Sequence, residues 1–183
     1  MRPQYHHGDL RRALLEAARD ALRSGRAAQL SIRELARTIG VSPNAPYRHF
    51  ADRDALFRAL ALAGYLEVAA ALEGLGQNGS RAVGVVWGGL AESDPELVAL
   101  MTTADVAEHP EVADGVERWF RAVVQAVAVD LGDSPPTVVI AQAATCWSVV
   151  HGMAALRRAG AFEGVLDLLP SYGRVAVQVT ARA

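Results

Sequence analysis

The fold is decided by residues 31–53, SIRELARTIGVSPNAPYRHFADR, where two short helices stand in tandem, each with its own start signal. Ser31-Ile32-Arg33-Glu34 is an S-x-x-E capping box, in which Ser31 and Glu34 can each satisfy a free backbone N–H. Leu30 before the cap and Leu35 at the fourth helical position are placed to form a hydrophobic staple. The helix continues over Ile32, Leu35, Ala36 and Ile39 and stops at Gly40, which adopts left-handed backbone without a Cβ penalty. Ser42-Pro43 then reads as an N-cap with proline at the first helical position, opening a second helix. Helix, glycine turn, helix, with Ala36 small enough for close packing, is the layout of a helix-turn-helix that sets its second helix in the major groove of DNA. Asn44, Tyr47, Arg48 and His49 give that helix donors suited to phosphates and base edges.

Working outward, the chain reads as helical nearly throughout. Asp9 can cap a first helix whose apolar stripe is Leu10, Leu14, Ala18, Ala21 and Leu22, ending near Ser24-Gly25. Asp52 caps a longer fourth helix, with Leu56, Leu60, Ala63, Val68, Leu72 and Leu75 at helical spacing, and GQNGS (76–80) is the clearest loop. No flexible linker separates the tandem helices from the rest, so the fourth helix reads as a rigid lever. A helix over 81–91 is weakened by Gly84, Gly88 and Gly89, each costing roughly 1 kcal/mol relative to Ala. Asp94-Pro95, His109-Pro110 and Ser134-Pro135 start three more, the second closed by Gly132. From Val138 to Leu156 the chain is apolar on almost every side, and such a helix must be covered all round. In a chain this small, another copy of the protein supplies the second cover. Val165–Ala183 fits both a strand and a helix by spacing, and Pro170 interrupts either.

Composition narrows the class. At 183 residues the chain can bury one substantial core or two small helical modules. It has no uninterrupted apolar run of about 18 residues, so no membrane span is expected. The opening MRPQYHHGDLRR lacks the apolar core of a signal peptide, and the single cysteine, Cys146, excludes an internal disulfide framework; both fit the cytoplasm. Residues 1–66 hold 11 Arg against 6 Asp and Glu, a net +5, whereas 67–183 hold 7 Arg against 14, a net −7. A basic module joined to an acidic one is expected when only the first meets phosphate. The five histidines and one cysteine have no metal-ligand spacing, and no glycine-rich phosphate loop is present. No cofactor or metal is expected.

The run from Leu30 to Arg53, with Ala36, Gly40, Val41, Ser42, Tyr47, His49 and Phe50 in place, resembles the DNA-binding domain of tetracycline-repressor-type transcription regulators. Tyr5–Ala18, YHHGDLRRALLEAA, is similar to the first helix of one branch of that family. Asp94–Met101 and the Trp147-x-x-x-His151-Gly152 element resemble that branch's WHG-type C-terminal domain. The resemblance implies an all-α fold of about nine helices: a helix-turn-helix DNA-binding domain over 1–52, then a helical ligand-binding and dimerisation domain over 53–183. It also favours a helix for the last segment, packed at a dimer interface.

By the same resemblance Tyr47, His49 and the Ser42 hydroxyl are phosphate donors, with Arg53 and Ser31 adding to them. Base reading falls to Arg33, whose fork suits guanine, and Asn44, which suits adenine; Arg48 can serve either purpose. Ser31 and Ser42 cap helices whether or not DNA is near, Arg33 can instead pair with an acid, Tyr47 can bury its ring, and Phe50 is core. Ala45 stands where many relatives have Ser or Thr. Pro46 removes an N–H and disfavours helical geometry at Ala45, so the opening turn of the recognition helix is expected to be distorted. Arg2, Tyr5, His6 and His7 form either an arm on the DNA backbone or a frayed terminus.

In the second module Trp87, Met101, Trp119, Phe120, Trp147, His151 and Met153 can line a cavity for an apolar effector, or be plain core. Gly152 permits close helix approach, and the helix at 84–89 is a candidate mobile wall. The leading reading is a homodimeric repressor of a pseudo-palindromic double-stranded operator, released by a small apolar effector. A dimeric DNA-binding protein without effector is the alternative. A remote third is a cysteine hydrolase using Cys146 and His151, which stand about 140° apart on a helix, with no orienting residue or oxyanion loop evident.

Overall fold

Local start and stop signals become helix ends in the computed structural model, which describes residues 7–26, 30–103, 109–161 and 171–181. The helices are α1 (His7–Arg23), α2 (Ile32–Thr38), α3 (Arg53–Gly74), α4 (Ser80–Ser93), α5 (Pro95–Thr103), α6 (Pro110–Leu131), α7 (Pro136–Arg158) and α8 (Tyr172–Thr180). Ser31 Oγ accepts the Glu34 N–H at 3.1 Å to open α2, and Asp52 Oδ1 accepts the Ala55 N–H at 2.7 Å to open α3. Gly40 and Gly132 sit at φ +74° and +53°, where a side chain would be strained, and end α2 and α6. α1 starts at His7, so Asp9 lies inside its first turn and is not the cap. The last segment is helical over α8; 165–170 and the arm residues Arg2, Tyr5 and His6 lie outside the described residues.

Among the described residues there are eight α-helices where about nine were expected, because the recognition segment is a turn followed by a single 3₁₀ turn, Pro46–Arg48. Pro43 and Pro46 both lack an N–H, so the usual i→i−4 ladder cannot start. Ala45 N–H instead reaches back three residues to the Ser42 carbonyl at 3.0 Å, and His49 N–H to Pro46 at 2.9 Å. Ala45 itself keeps helical dihedrals, φ −62° and ψ −42°, although it precedes proline. The distortion therefore lies in the hydrogen-bond pattern and not at Ala45.

α1 packs on α3, and α2 and this turn pack on α1 and on each other, around Leu14, Leu22, Leu35, Phe50 and Leu56. α3 then runs along α6, and α4 packs against α7 and α8. The α3–α6 approach is close at Gly115, where any Cβ would collide with Leu62. α4 and α8 meet at Gly88, whose missing side chain admits the Tyr172 ring. Gly152, expected to serve such an approach, has no atom of the described residues within 4 Å of where a Cβ would stand, apart from its own helix.

Two polar knots that no local pattern shows tie the helices together. Asp130, near the end of α6, accepts the Ser80 N–H at 2.8 Å and so caps α4 from 50 residues away. Ser80 Oγ in turn bonds the Thr180 hydroxyl of α8 at 2.9 Å, both buried. At the α4–α5 corner the Asp94 carboxylate is wholly buried, yet its Oδ2 accepts from Arg19 Nε at 2.6 Å and Arg23 Nε at 3.0 Å, both on α1. Arg19 also donates to Glu67 of α3 at 2.7 Å.

α3 and α7 are both long and apolar enough to cross a membrane by length and composition, which a search for uninterrupted apolar runs does not detect. Half of that stretch is buried within the fold in α3, but only 28 % in α7. Removing one partner from a buried ion pair is strongly destabilising. Arg19→Ala, which leaves the buried Asp94 with Arg23 alone, is expected to lower stability by about 2–4 kcal/mol in urea unfolding. A loss below about 0.5 kcal/mol, the range of an ordinary surface change, would show that the corner does not rest on this pair.

Candidate nucleic-acid interface

Seven of the eight sequence-derived DNA contacts, Ser31, Arg33, Ser42, Asn44, Tyr47, Arg48 and Arg53, are solvent-exposed. Tyr47 keeps 44 % of its surface exposed, so its ring is not part of the core, whereas Phe50 is buried. Arg37, not Arg33, takes the nearby acid, reaching Glu34 at 3.6 Å. Among the described residues neither the Arg33 nor the Arg48 side chain makes an ion pair or hydrogen bond, which leaves two exposed guanidinium groups uncommitted on the helix-turn-helix. Arg53 sits at the start of α3 with its guanidinium 4.5 Å from the Phe57 ring centroid. His49 differs from the other seven: it is half-buried and lines a cleft between the helix-turn-helix and the start of α6.

The residues expected to form an effector site do come together, as packed rings. Trp87 is 5.8 Å from Trp119 and 6.4 Å from Trp147, and Trp119 is 5.2 Å from Trp147, centroid to centroid. His151 stacks on Trp147 at 5.3 Å and meets the Trp87 ring edgewise at 5.8 Å; Phe120 joins through Trp119 at 6.0 Å. Met101 is linked through Tyr65, whose hydroxyl donates to the Met101 carbonyl at 2.8 Å and whose ring lies 5.5 Å from Trp119. Sequence reading missed Tyr65, although it continues the α3 stripe of Leu60, Ala61, Val68 and Leu72. Burial pushes its phenol up to about 12.

The cluster is not fully satisfied. Among the described residues Trp87 Nε1, Trp147 Nε1 and His151 Nδ1 are buried without a hydrogen-bond partner, which is uncommon for buried polar atoms. Burial lowers the His151 pKa, so its imidazole is neutral near pH 7 and retains one ring nitrogen to donate and one to accept. The cavity beside His151, bounded by α4, α5 and α7, measures only about 50 Å³. Among the described residues no group of three or more His, Cys, Asp or Glu is placed to hold a metal ion.

Cys146 is wholly buried on α7, and burial, helped by the charge of Asp130, pushes its thiol up to about 11. A thiolate nucleophile needs the opposite, a lowered pKa and access.

Against known proteins, residues 14–60 match the family model described as bacterial regulatory proteins of the tetR family. Residues 80–178 match the model described as a tetracyclin repressor-like C-terminal domain. The chain belongs to the TetR family and is a DNA-binding transcriptional regulator. A solved protein of unknown function from Rhodococcus sp. RHA1 is 32 % identical, with 99 % of this chain and 96 % of that one covered and a TM-score of 0.75. The regulatory protein SCO4313 shares the fold at 21 % identity, TM-score 0.74, over 95 % of each chain. EbrR, described as a multidrug binding protein complexed with imidazole, shares it at 24 % identity and TM-score 0.57, over 94 % of this chain and 93 % of its own. No curated protein matches the chain significantly.

With its pKa near 11, only about one Cys146 in a thousand is thiolate at pH 8. Iodoacetamide at that pH is therefore expected to leave the folded protein unlabelled for hours and to label it fully in urea. Prompt labelling of the folded state would show a thiol that is neither buried nor protonated.

Proposed function

We infer that the protein is a homodimeric repressor of a pseudo-palindromic operator in the cytoplasm, released by a small apolar effector that binds its C-terminal module. The observation that carries this reading is α7. From Pro136 to Leu156 it has no charged residue, yet only 28 % of its apolar stretch is buried among the described residues. Ile140, Val149 and Leu156 stand exposed, with Val177 of α8 also exposed, and Ser148 and Gly152 lie between them in sequence. A surface this apolar calls for a partner, and a second copy meets it with an equal face about a two-fold axis. The open side of Gly152 then lets the two α7 helices approach closely.

A two-fold pair carries two reading heads, suited to half-sites about 34–36 Å apart or a multiple of that. Within each head Arg33 and Arg48, uncommitted inside the chain, are the leading base-edge and phosphate donors, with Asn44, Tyr47, Ser42, Ser31 and Arg53 around them. His49 is the weakest of the eight assignments, because it is half-buried and lines the cleft instead of standing open to solvent. An effector is supported by the three unpaired nitrogen atoms of the tryptophan cluster, which a bound molecule with one polar group in an apolar body would satisfy. That EbrR, which shares the fold, is described as a multidrug binding protein complexed with imidazole supports this reading. Binding there would shift α3 through Tyr65 and Trp119, and α3 carries the head. Coupling is reciprocal, so DNA must weaken the effector as much as the effector weakens DNA.

The closed packing of the rings favours one second reading, a dimeric DNA-binding protein that needs no effector. Saturable quenching of the three tryptophans by an apolar metabolite, with matching loss of operator affinity, supports release by effector; quenching without loss contradicts it.

Ser148→Arg is expected to give a monomer by sedimentation, with unchanged helical content and operator affinity down more than about tenfold. A dimer that survives this change would place the interface elsewhere. Arg48→Ala should lower the salt slope of operator binding by about one unit if Arg48 meets a phosphate. An unchanged slope with altered base preference would assign it to base reading.

A further inference from the structure

A cleft of about 330 Å³ separates the helix-turn-helix from the start of α6, and none of its lining residues belongs to the tryptophan cluster. It falls in the size range of small-molecule sites. Its cationic groups are Arg11 of α1 and Arg58 of α3, and the imidazoles of His49, after the recognition turn, and His109, at the N-terminus of α6, also line it. The facing acid is Glu111, which is exposed. Among the described residues the other two partly buried arginines, Arg19 and Arg157, each reach a carboxylate. Among the described residues the Arg58 guanidinium has no ion pair or hydrogen bond although it is partly buried, and the exposed Arg11 lies over the Phe50 ring, 5.4 Å from its centroid. A partly buried guanidinium without a counter-charge is unfavourable, and an external anion relieves it. The floor between the charges is apolar, with Phe50 and Val112 buried and Leu62 partly so.

We propose that this cleft is a binding site for an organic acid, a carboxylate on an apolar body, and that its occupant acts on the reading head directly. Arg58 and Arg11 hold the carboxylate, and the planar guanidinium fork matches it in a way that it does not match a neutral ligand. Phe50, Leu62 and Val112 receive the apolar body. The positive end of the 22-residue α6 opens beside it and favours negative charge. An occupant touches α1, the end of the recognition segment, α3 and α6 together, so it ties the head to the C-terminal module without passing through the tryptophan cluster. The binding half of this inference stands by itself; the effect on the head rests on the DNA-reading function proposed above.

The test is calorimetric titration of the full-length protein, without DNA, with sodium hexanoate and with 1-hexanol as its neutral counterpart. Hexanoate is expected to bind saturably and at least about tenfold more tightly than hexanol. Arg58→Gln should weaken hexanoate about tenfold, leave hexanol unchanged and leave the melting curve unchanged. Ala59→Leu, which fills the cleft wall, should remove both. No saturable binding at millimolar hexanoate, equal binding of acid and alcohol, or hexanoate binding that survives Arg58→Gln but is lost in Trp147→Ala would each overturn the site. Operator binding is then read with and without hexanoate. Acid binding with no change in operator affinity overturns only the regulatory half. Arg58→Gln weakening DNA in the absence of acid would make the cleft part of the DNA contact instead.

Discussion

A carboxylate with no exposed surface, Asp94, is held by two arginines of α1, and the position of the reading head depends on that arrangement. A buried charge is tolerated only when it is paired and hydrogen-bonded, so α1 cannot leave the α4–α5 corner without leaving Asp94 unpaired. One oxygen, Oδ1, lacks a partner even so. The same Arg19 reaches Glu67 on α3, and the three elements become one unit. The basic head is therefore fixed twice to the acidic remainder: by α3, which is continuous with both, and by this corner. Rigid coupling of this kind is what a regulator needs if an event in one module is to move the other.

Much of the fold was legible in the sequence because its signals are local. The Ser31 and Asp52 caps, the glycines at 40 and 132 and the Asp-Pro and His-Pro starts each act within four residues, and each marks a helix end in the structure. The Asp9 cap failed because the first turn of α1 begins two residues earlier. What could not be read was carried by residues far apart: Asp130 with Ser80, Asp94 with Arg19, Gly88 with Tyr172. Periodicity reports which face is buried and says nothing about what covers it. Gly152 shows the difference, since its sequence suggested a close contact that within one chain belongs to Gly88.

The recognition segment tested two local rules at once. Proline at a first helical position starts a helix, but a second proline three residues later removes the next donor, and the second rule won. The outcome is a 3₁₀ turn that still presents Asn44, Tyr47 and Arg48 to solvent. In the C-terminal module the aromatic residues chosen by spacing did gather around Trp119. Their unpaired nitrogens, which give the cluster its chemical interest, follow only from burial and had no sequence signal. The cationic cleft beside His49 was likewise invisible, since Arg11, Arg58 and His109 are separated by most of the chain.

The central claim is that a proline-interrupted head, fixed to a dimerising body, reads sequence. The most direct test is to select fragments of the source genome with the purified full-length protein at physiological salt and sequence those retained. The account predicts a few strongly enriched pseudo-palindromes, with half-sites spaced by whole turns of the duplex. Uniform, weak and salt-sensitive retention of every fragment would contradict it, for that is what phosphate attraction alone produces.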